Sequence, residues 1–353
     1  MDRAFILSAA DRDRVRRLTE ESQALSLDPA GCRPLVHVNT PGGQNRFRER
    51  WADPRIMLED GLAAAQTHRR TGDDRLPTLR VELGTGVVAS AFGIEVLVKN
   101  DSLPCAAEAP ARSLADILAL PEPDLASGIL PRLLAFAEAM VKELPDGYAL
   151  QLPDTQGVFN TAHLVRGNDI LTDFYDEPDL LGQLFARISG AMARIIPEIA
   201  RRVSPAPAGW FYDWGALWRG TARISNCSME MISPDFYRQH VRAHDVRLLD
   251  ALGGGRVHYC GSHTDVLMDF ARLPGISGLD FPFERHDFRR VVAEAPAETV
   301  LMVGLGDPEG APARQILAEP PRKRNMIYVV TAEPDRGMKW RRALLAKYGI
   351  SVR

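Results

Sequence analysis

The chain has 353 residues, 45% of them hydrophobic and 25% charged, with a formal net charge of −3. This is the balance of a globular protein with a sizeable core, and it gives no electrostatic reason to expect nucleic acid or an anionic membrane as partner. No apolar run approaches the ~18 residues of a spanning helix, the segment Met1–Leu7 is short for a secretory signal, and cysteines at 32, 105, 227 and 260 are too scattered for a disulfide framework, so a reduced, cytoplasmic protein is expected.

In chain order, residues 8–25 read as a helix that Ser8 can cap, with Asp11 and Asp13 at its favourable end. Apolar, β-rich runs then recur at Pro34–Val38, Thr78–Leu83, Tyr148–Leu152, Trp210–Asp213, Arg256–Cys260, Gly278–Phe281, Val300–Gly304 and Met326–Val330. Helical patterns lie between several of them, at 130–143, 178–200 and from Pro234 to Leu252. Pro104, Pro110, Pro121 and Pro123 break up residues 99–128, which read as an irregular insertion. Eight strands with helical crossovers predict a single-domain α/β protein, a (β/α)₈ TIM barrel occupying about residues 30–353 behind an N-terminal helix. A doubly wound open sheet is the other topology, and no Gly-rich dinucleotide fingerprint follows the first strand to support it.

In such a barrel, residues at C-terminal strand ends form the active site. His258 and Cys260 stand two apart and share one face of an extended strand, a soft pair that starts a zinc site or, alternatively, sits buried in the core. Cys227, His263, Glu82, Asp280 and Glu333 are the candidate further donors. Asp213 ends an aromatic strand beside Tyr212, where partial desolvation would raise its pKa for proton transfer, or else it caps a helix or forms a loop salt bridge; Asp280 is similar. Asn39, Glu82, Asp154 and Gln156 fall at other strand ends, as candidate substrate-binding groups. Arg46, with Arg48 and Arg50, either clamps an anionic substrate or forms a solvated face near Glu49 and Asp53. Gly84-Thr85-Gly86 is either a phosphate cradle or a tight strand-to-helix turn.

The run Leu152-Pro153-Asp154-Thr155-Gln156-Gly157-Val158-Phe159-Asn160-Thr161-Ala162 resembles the uroporphyrinogen decarboxylase superfamily. So do Asp173–Pro178, Ser233–Arg238, Val257–Gly261, Gly278-Leu279-Asp280 and Gly306-Asp307-Pro308, in order, from roughly residue 30 to the C-terminus. The resemblance implies a (β/α)₈ barrel and one of two chemistries. The decarboxylases carry an Arg-Gln-Ala-Gly-Arg motif after the first strand, where this chain reads Asn39-Thr40-Pro41-Gly42-Gly43-Gln44-Asn45-Arg46. The other branch comprises zinc-dependent methyltransferases that work with corrinoid proteins, and their His-x-Cys-Gly signature is matched by His258, Cys260 and Gly261.

That likeness implies zinc, a small methyl donor or acceptor, and a corrinoid carried by a partner protein. Zinc would strip the proton from a thiol that is otherwise mostly protonated at neutral pH. The branch takes its third ligand from a cysteine after the last strand, where this chain has Val330-Thr331-Ala332-Glu333-Pro334. Glu333 or Cys227 would complete the set, or the metal has been lost. Asp213 and Asp280 would then move protons or orient substrate. The remaining readings are a metal-independent decarboxylase of a polycarboxylate and a barrel that binds a small ligand or corrinoid protein without turnover.

Overall fold

The structure is a computed structural model that describes residues 5–28, 32–41 and 46–351. Gly42–Asn45 of the loop after the first strand lie outside the described residues. The strands are β1 (Leu35–Asn39), β2 (Thr78–Arg80), β3 (Val96–Leu97), β4 (Cys105–Ala106), β5 (Ala149–Gln151) and β6 (Trp210–Asp213). They continue with β7 (Ala216–Arg219), β8 (Ala222–Ser225), β9 (Gly255–His258), β10 (Ile276–Pro282), β11 (Val300–Gly306) and β12 (Met326–Thr331).

Six of these form one sheet in the order β1-β12-β11-β10-β9-β8, and every pairing in it is parallel. β2 and β5 form a separate parallel pair. Helices connect the parallel strands, so the architecture is a barrel-like α/β fold. Where the ladder stops beside β1, carboxylates replace strand partners: Asp74 accepts from Val36 N at 2.9 Å and Asp73 from Val38 N at 2.8 Å. Asp74 is also held by Arg341 of the last helix and Arg33, at 2.6 and 2.8 Å.

Alternation along the strands sorts the side chains. Val38 packs on Gly337 of the helix Pro334–Lys347, and Leu79 packs on Gly61 of the helix Pro54–Thr71. Their neighbours in sequence, including Arg80, turn to the opposite, inner face. The helix Pro178–Ala200 begins with proline in its first turn and buries Leu181, Leu184, Phe185, Ile188, Met192, Ile195 and Ile196, the stripe expected from its spacing. The helix Ala9–Leu27 has Ser8 and Asp11 in a reciprocal capping box.

One strand reading is corrected. Trp210–Asp213 is extended, but it pairs antiparallel with β7 as a hairpin and takes no place in the parallel sheet. The parallel strand in that part of the chain is β8, which the sequence reading did not identify. The hairpin turn Trp214-Gly215 has φ of +49° and +71°, left-handed at both residues, which glycine accommodates at 215. Trp214 is held there by its N–H, which donates to Gln151 Oε1 at 2.9 Å. The first helix covers the hairpin, with Leu18 and Leu217 buried together and Leu217 N donating to Ser22 Oγ at 2.8 Å.

The segment 99–128 is largely irregular as read, apart from β4 and the capped helix Leu114–Leu118. Residues 234–252 are helical but not uniformly α: Tyr237–Val241 forms a π-helical turn between Pro234–Phe236 and Arg242–Ala251. Among the described residues no helix is long and apolar enough to cross a membrane.

Candidate metal centre

β8 and β9 run parallel, with Ser225 opposite His258. Cys227 follows β8 by two residues and opens the short 3₁₀ helix Cys227–Met231. Cys260 follows the end of β9, so it lies in the loop and not on the strand face it was expected to share with His258. The two strand ends still bring the side chains together. Among the described residues, Cys227, His258 and Cys260 form a group of potential metal donors whose ligand atoms all lie within 4.8 Å of one another.

The donor set suits zinc. Two thiols and an imidazole are soft to borderline ligands, and a tetrahedral ion with Zn–S bonds of about 2.3 Å needs its donors a little under 4 Å apart. His258 Nδ1 lies 2.9 Å from Asp280 Oδ2, an ionic contact imperfectly aligned as a hydrogen bond. That contact orients the ring and leaves Nε2 as the metal-facing nitrogen. Burial opposes a charged imidazole, yet the Asp280 carboxylate outweighs it and raises His258 to about 9. Burial likewise opposes the charge on Asp280, but His258 and Arg256 hold that carboxyl well below its usual range. The hydrogen bond from the Cys227 thiol to the Cys260 sulfur, together with burial, pushes Cys227 up; the same bond and His258 pull Cys260 down. One sulfur of the pair is therefore already disposed to be a thiolate.

The other expected donors are elsewhere. Glu333 is exposed at the start of the last helix and lies outside the donor group. His263 Nε2 contacts Glu230 O at 3.2 Å. Glu82 is tied to Arg80, with Nε at 2.9 Å.

Of the readings of Asp213, the structure shows the ion pair. The residue is buried at the hairpin tip, where Arg256 Nε donates to Oδ2 at 2.7 Å and Arg223 Nε lies 3.7 Å away. Its main-chain oxygen accepts from Trp218 Nε1 at 2.9 Å, so both its side chain and its backbone tie the hairpin to its surroundings. Asp280 contacts both Arg256 and His258 and is ionised, which suits orientation and not proton donation.

Asp154 borders the donor group through Ser225, the residue opposite His258, and Gln156 is bound to Asp154. Asp154 accepts from Arg223 Nη2 at 2.6 Å, Ser225 Oγ at 3.3 Å and Gln156 N at 3.0 Å, which binds the loop after β5 to β8. Gln156, at φ +59°, accepts from Asn160 Nδ2 at 2.7 Å. Asn39 accepts from Arg75 at 2.5 Å. Arg46 forms ion pairs with Glu49 and Asp60 at 3.0 and 3.5 Å, so it belongs to a local charge cluster and offers no ready clamp. Tyr212 lines a groove of about 280 Å³ with Gln151, Leu152, Ser204, Gly209, Gly220 and Thr221, a lining that includes none of the three donors. Gly84-Thr85-Gly86 turns the chain into the short helix Val87–Ser90, as the strand-to-helix reading expected, and a Cβ at Gly84 would lie 1.8 Å from Pro104 O, so that glycine permits a close backbone crossing.

The reading missed Arg223 and Arg256, which carry the ionic network beneath the donors. Arg256 was accessible by alternation, since it stands two before His258 on the same strand face. Arg223 was hidden with its strand.

No protein-family model matches this chain, and no curated protein matches it. Among solved structures, a methyltransferase from Methanosarcina mazei superposes with a TM-score of 0.68, over 94% of this chain and 99% of that chain, at 17% identity. The likeness establishes a shared fold.

Proposed function

We propose that this chain is a closed (β/α)₈ barrel of the uroporphyrinogen decarboxylase superfamily and acts as a zinc-dependent methyltransferase. It would move a methyl group between a corrinoid carried on a partner protein and a small thiol or other small substrate. The observation that carries this reading is the convergence of Cys227, His258 and Cys260 at the C-terminal ends of neighbouring strands. The shared fold with a methyltransferase supports it.

Cys227, His258 and Cys260 would hold zinc, which supplies Lewis acidity that keeps an acceptor thiol ionised near neutral pH. Asp280 orients His258 and keeps Nε2 directed at the site. Arg223 and Arg256 hold Asp154, Asp213 and Asp280 in place, so beneath the donors three carboxylates share two guanidiniums. In the direction of thiol methylation, the thiol proton is lost to solvent and the carbon–sulfur bond forms. The methyl group would come from the partner's corrinoid, which would keep the bonding electron pair and act as the leaving group.

The test uses the zinc-loaded protein with methylcobalamin and a panel of small thiols. Methyl thioether and cobalt(I) in equal amounts are expected, with activity falling at least ~100-fold in Cys260→Ser, the scale of losing a group that acts on the transition state. If zinc-loaded protein moves no methyl group in either direction across the panel, the reading is wrong.

A further inference from the structure

Behind Cys227 lies a buried polar chain that the methyl-transfer reading does not use. Asn226, Asp245 and Tyr237 are each 0% exposed. Asn226 N donates to His258 O at 3.0 Å, extending the β8–β9 ladder one residue beyond the strand. Its side-chain Nδ2 donates to Asp245 Oδ2 at 3.1 Å, and the same oxygen lies 3.3 Å from the Tyr237 hydroxyl that donates to it. Tyr237 starts the π-helical turn, an irregularity often found near functional sites, and its ring packs edge-on to Phe270 at 5.0 Å.

On the other side Asn226 meets Gly157 so closely that a Cβ there would lie 2.0 Å from Asn226 Oδ1. The next turn is held as well: Ser228 N donates to Asn160 Oδ1 at 2.8 Å, and Met229 N to Asn226 O at 3.1 Å. The residue just before Cys227 is therefore fixed through its main chain to the ligand strand and through its side chain to a buried carboxyl on another helix. A loop that only needed closing could do so with water-exposed groups. Burying a carboxyl is costly, and burial indeed raises Asp245 to about 7.

We propose that Asn226, Asp245 and Tyr237 are positioning residues that fix Cys227 against His258 and Cys260, so that the third donor comes from the β8 end of the sheet. The proposal rests on the reading of this trio as a metal site. Replacing Asn226 by alanine removes the side-chain tie to Asp245 beside Cys227, keeps the main-chain bond to His258 O and touches no donor atom. Asparagine at 245 keeps an oxygen that can accept from both Asn226 and Tyr237, whereas leucine does not.

The experiment compares wild type with Asn226→Ala, Asp245→Leu and Asp245→Asn, each checked for cooperative thermal unfolding. Zinc affinity is read by chelator competition, and cobalt(II) substitution reads thiolate-to-metal charge transfer, which reports the number of bound sulfurs. Asn226→Ala and Asp245→Leu are expected to lose tenfold or more in affinity, the scale of outer-partner removal, and part of the charge-transfer band. Asp245→Asn is expected to retain both. A folded Asn226→Ala protein with wild-type affinity and an undiminished band overturns the proposal. Alkylation of Cys227 by iodoacetamide in metal-free protein supplies a second readout, expected to quicken in Asn226→Ala and to stay unchanged if the proposal is wrong. Because that arm needs no metal, it decides the positioning claim even where wild type takes up no zinc, a result that would count against the metal reading alone.

Discussion

At the scale of single residues, Asp280 governs what His258 can do. In the metal-free protein the imidazole is raised to about 9, burial opposing and the carboxylate prevailing. A metal needs the neutral ring, so at neutral pH the metal must displace a proton. Zinc affinity of the wild type is therefore expected to climb as pH rises towards 9, the Cys227 proton, held up by its bond to Cys260 and by burial, adding a further dependence above that. In Asp280→Asn the carboxylate is gone, His258 falls back towards or below its ordinary value near 6.5, and the share of the climb that His258 contributes ends at lower pH. Competition titrations across pH 6–10 check this, and parallel profiles for the two proteins would contradict it. The His258–Cys260 spacing was legible because it is local. Cys227 could be named only as one donor among several, since its approach depends on contacts between residues more than thirty positions apart.

At the scale of elements, the hairpin β6–β7 shows where sequence pattern misleads. Trp210–Asp213 has the aromatic, β-prone character of a barrel strand, but the turn at Trp214-Gly215 sends the chain straight back to pair with itself. The actual wall strand β8 has four residues, and Arg223 and Ser225 are polar because they face the ionic interior. It therefore lacks the apolar run by which its neighbours announce themselves. The hairpin is seated tightly: a Cβ at Gly278 of β10 would lie 2.2 Å from the Trp218 ring. Trp218 is fully buried and stacks under Arg256, whose Cζ is 4.4 Å from the ring centroid. Gly278→Ala must push that ring aside and is expected to cost about 1–3 kcal/mol, the usual scale of overpacking. Urea unfolding measures it, and an unchanged midpoint would show that the hairpin seat is loose.

At the scale of the whole molecule, the alternating strands and helices revealed the barrel-like α/β class, because each strand-plus-helix unit carries its own period. The way the ends of the sheet are managed was not visible, because it rests on side chains from distant parts of the chain. Asp74 is the example: buried before β2, it joins Val36 of β1 to Arg33 and Arg341. Burial opposes its charge, but Arg341 and Arg33 hold its pKa at about 2. Since the folded value is below the unfolded 3.8, its contribution is present above pH 4 and is lost as pH falls from about 4 to 2. Asp74→Asn is expected to cost about 3–5 kcal/mol at pH 7, the scale of breaking a buried ion pair. It should also flatten that acid limb of unfolding free energy against pH, while an unchanged limb would assign acid sensitivity to other groups. The central claim, that three donors from two adjacent strand ends hold zinc, is tested most directly by elemental analysis of untagged protein after zinc supply and extensive dialysis. The account predicts close to one zinc per chain in wild type and a large loss in Cys227→Ser as well as in a His258→Ala, Cys260→Ser double variant; wild type without zinc, or full occupancy in Cys227→Ser, would contradict it.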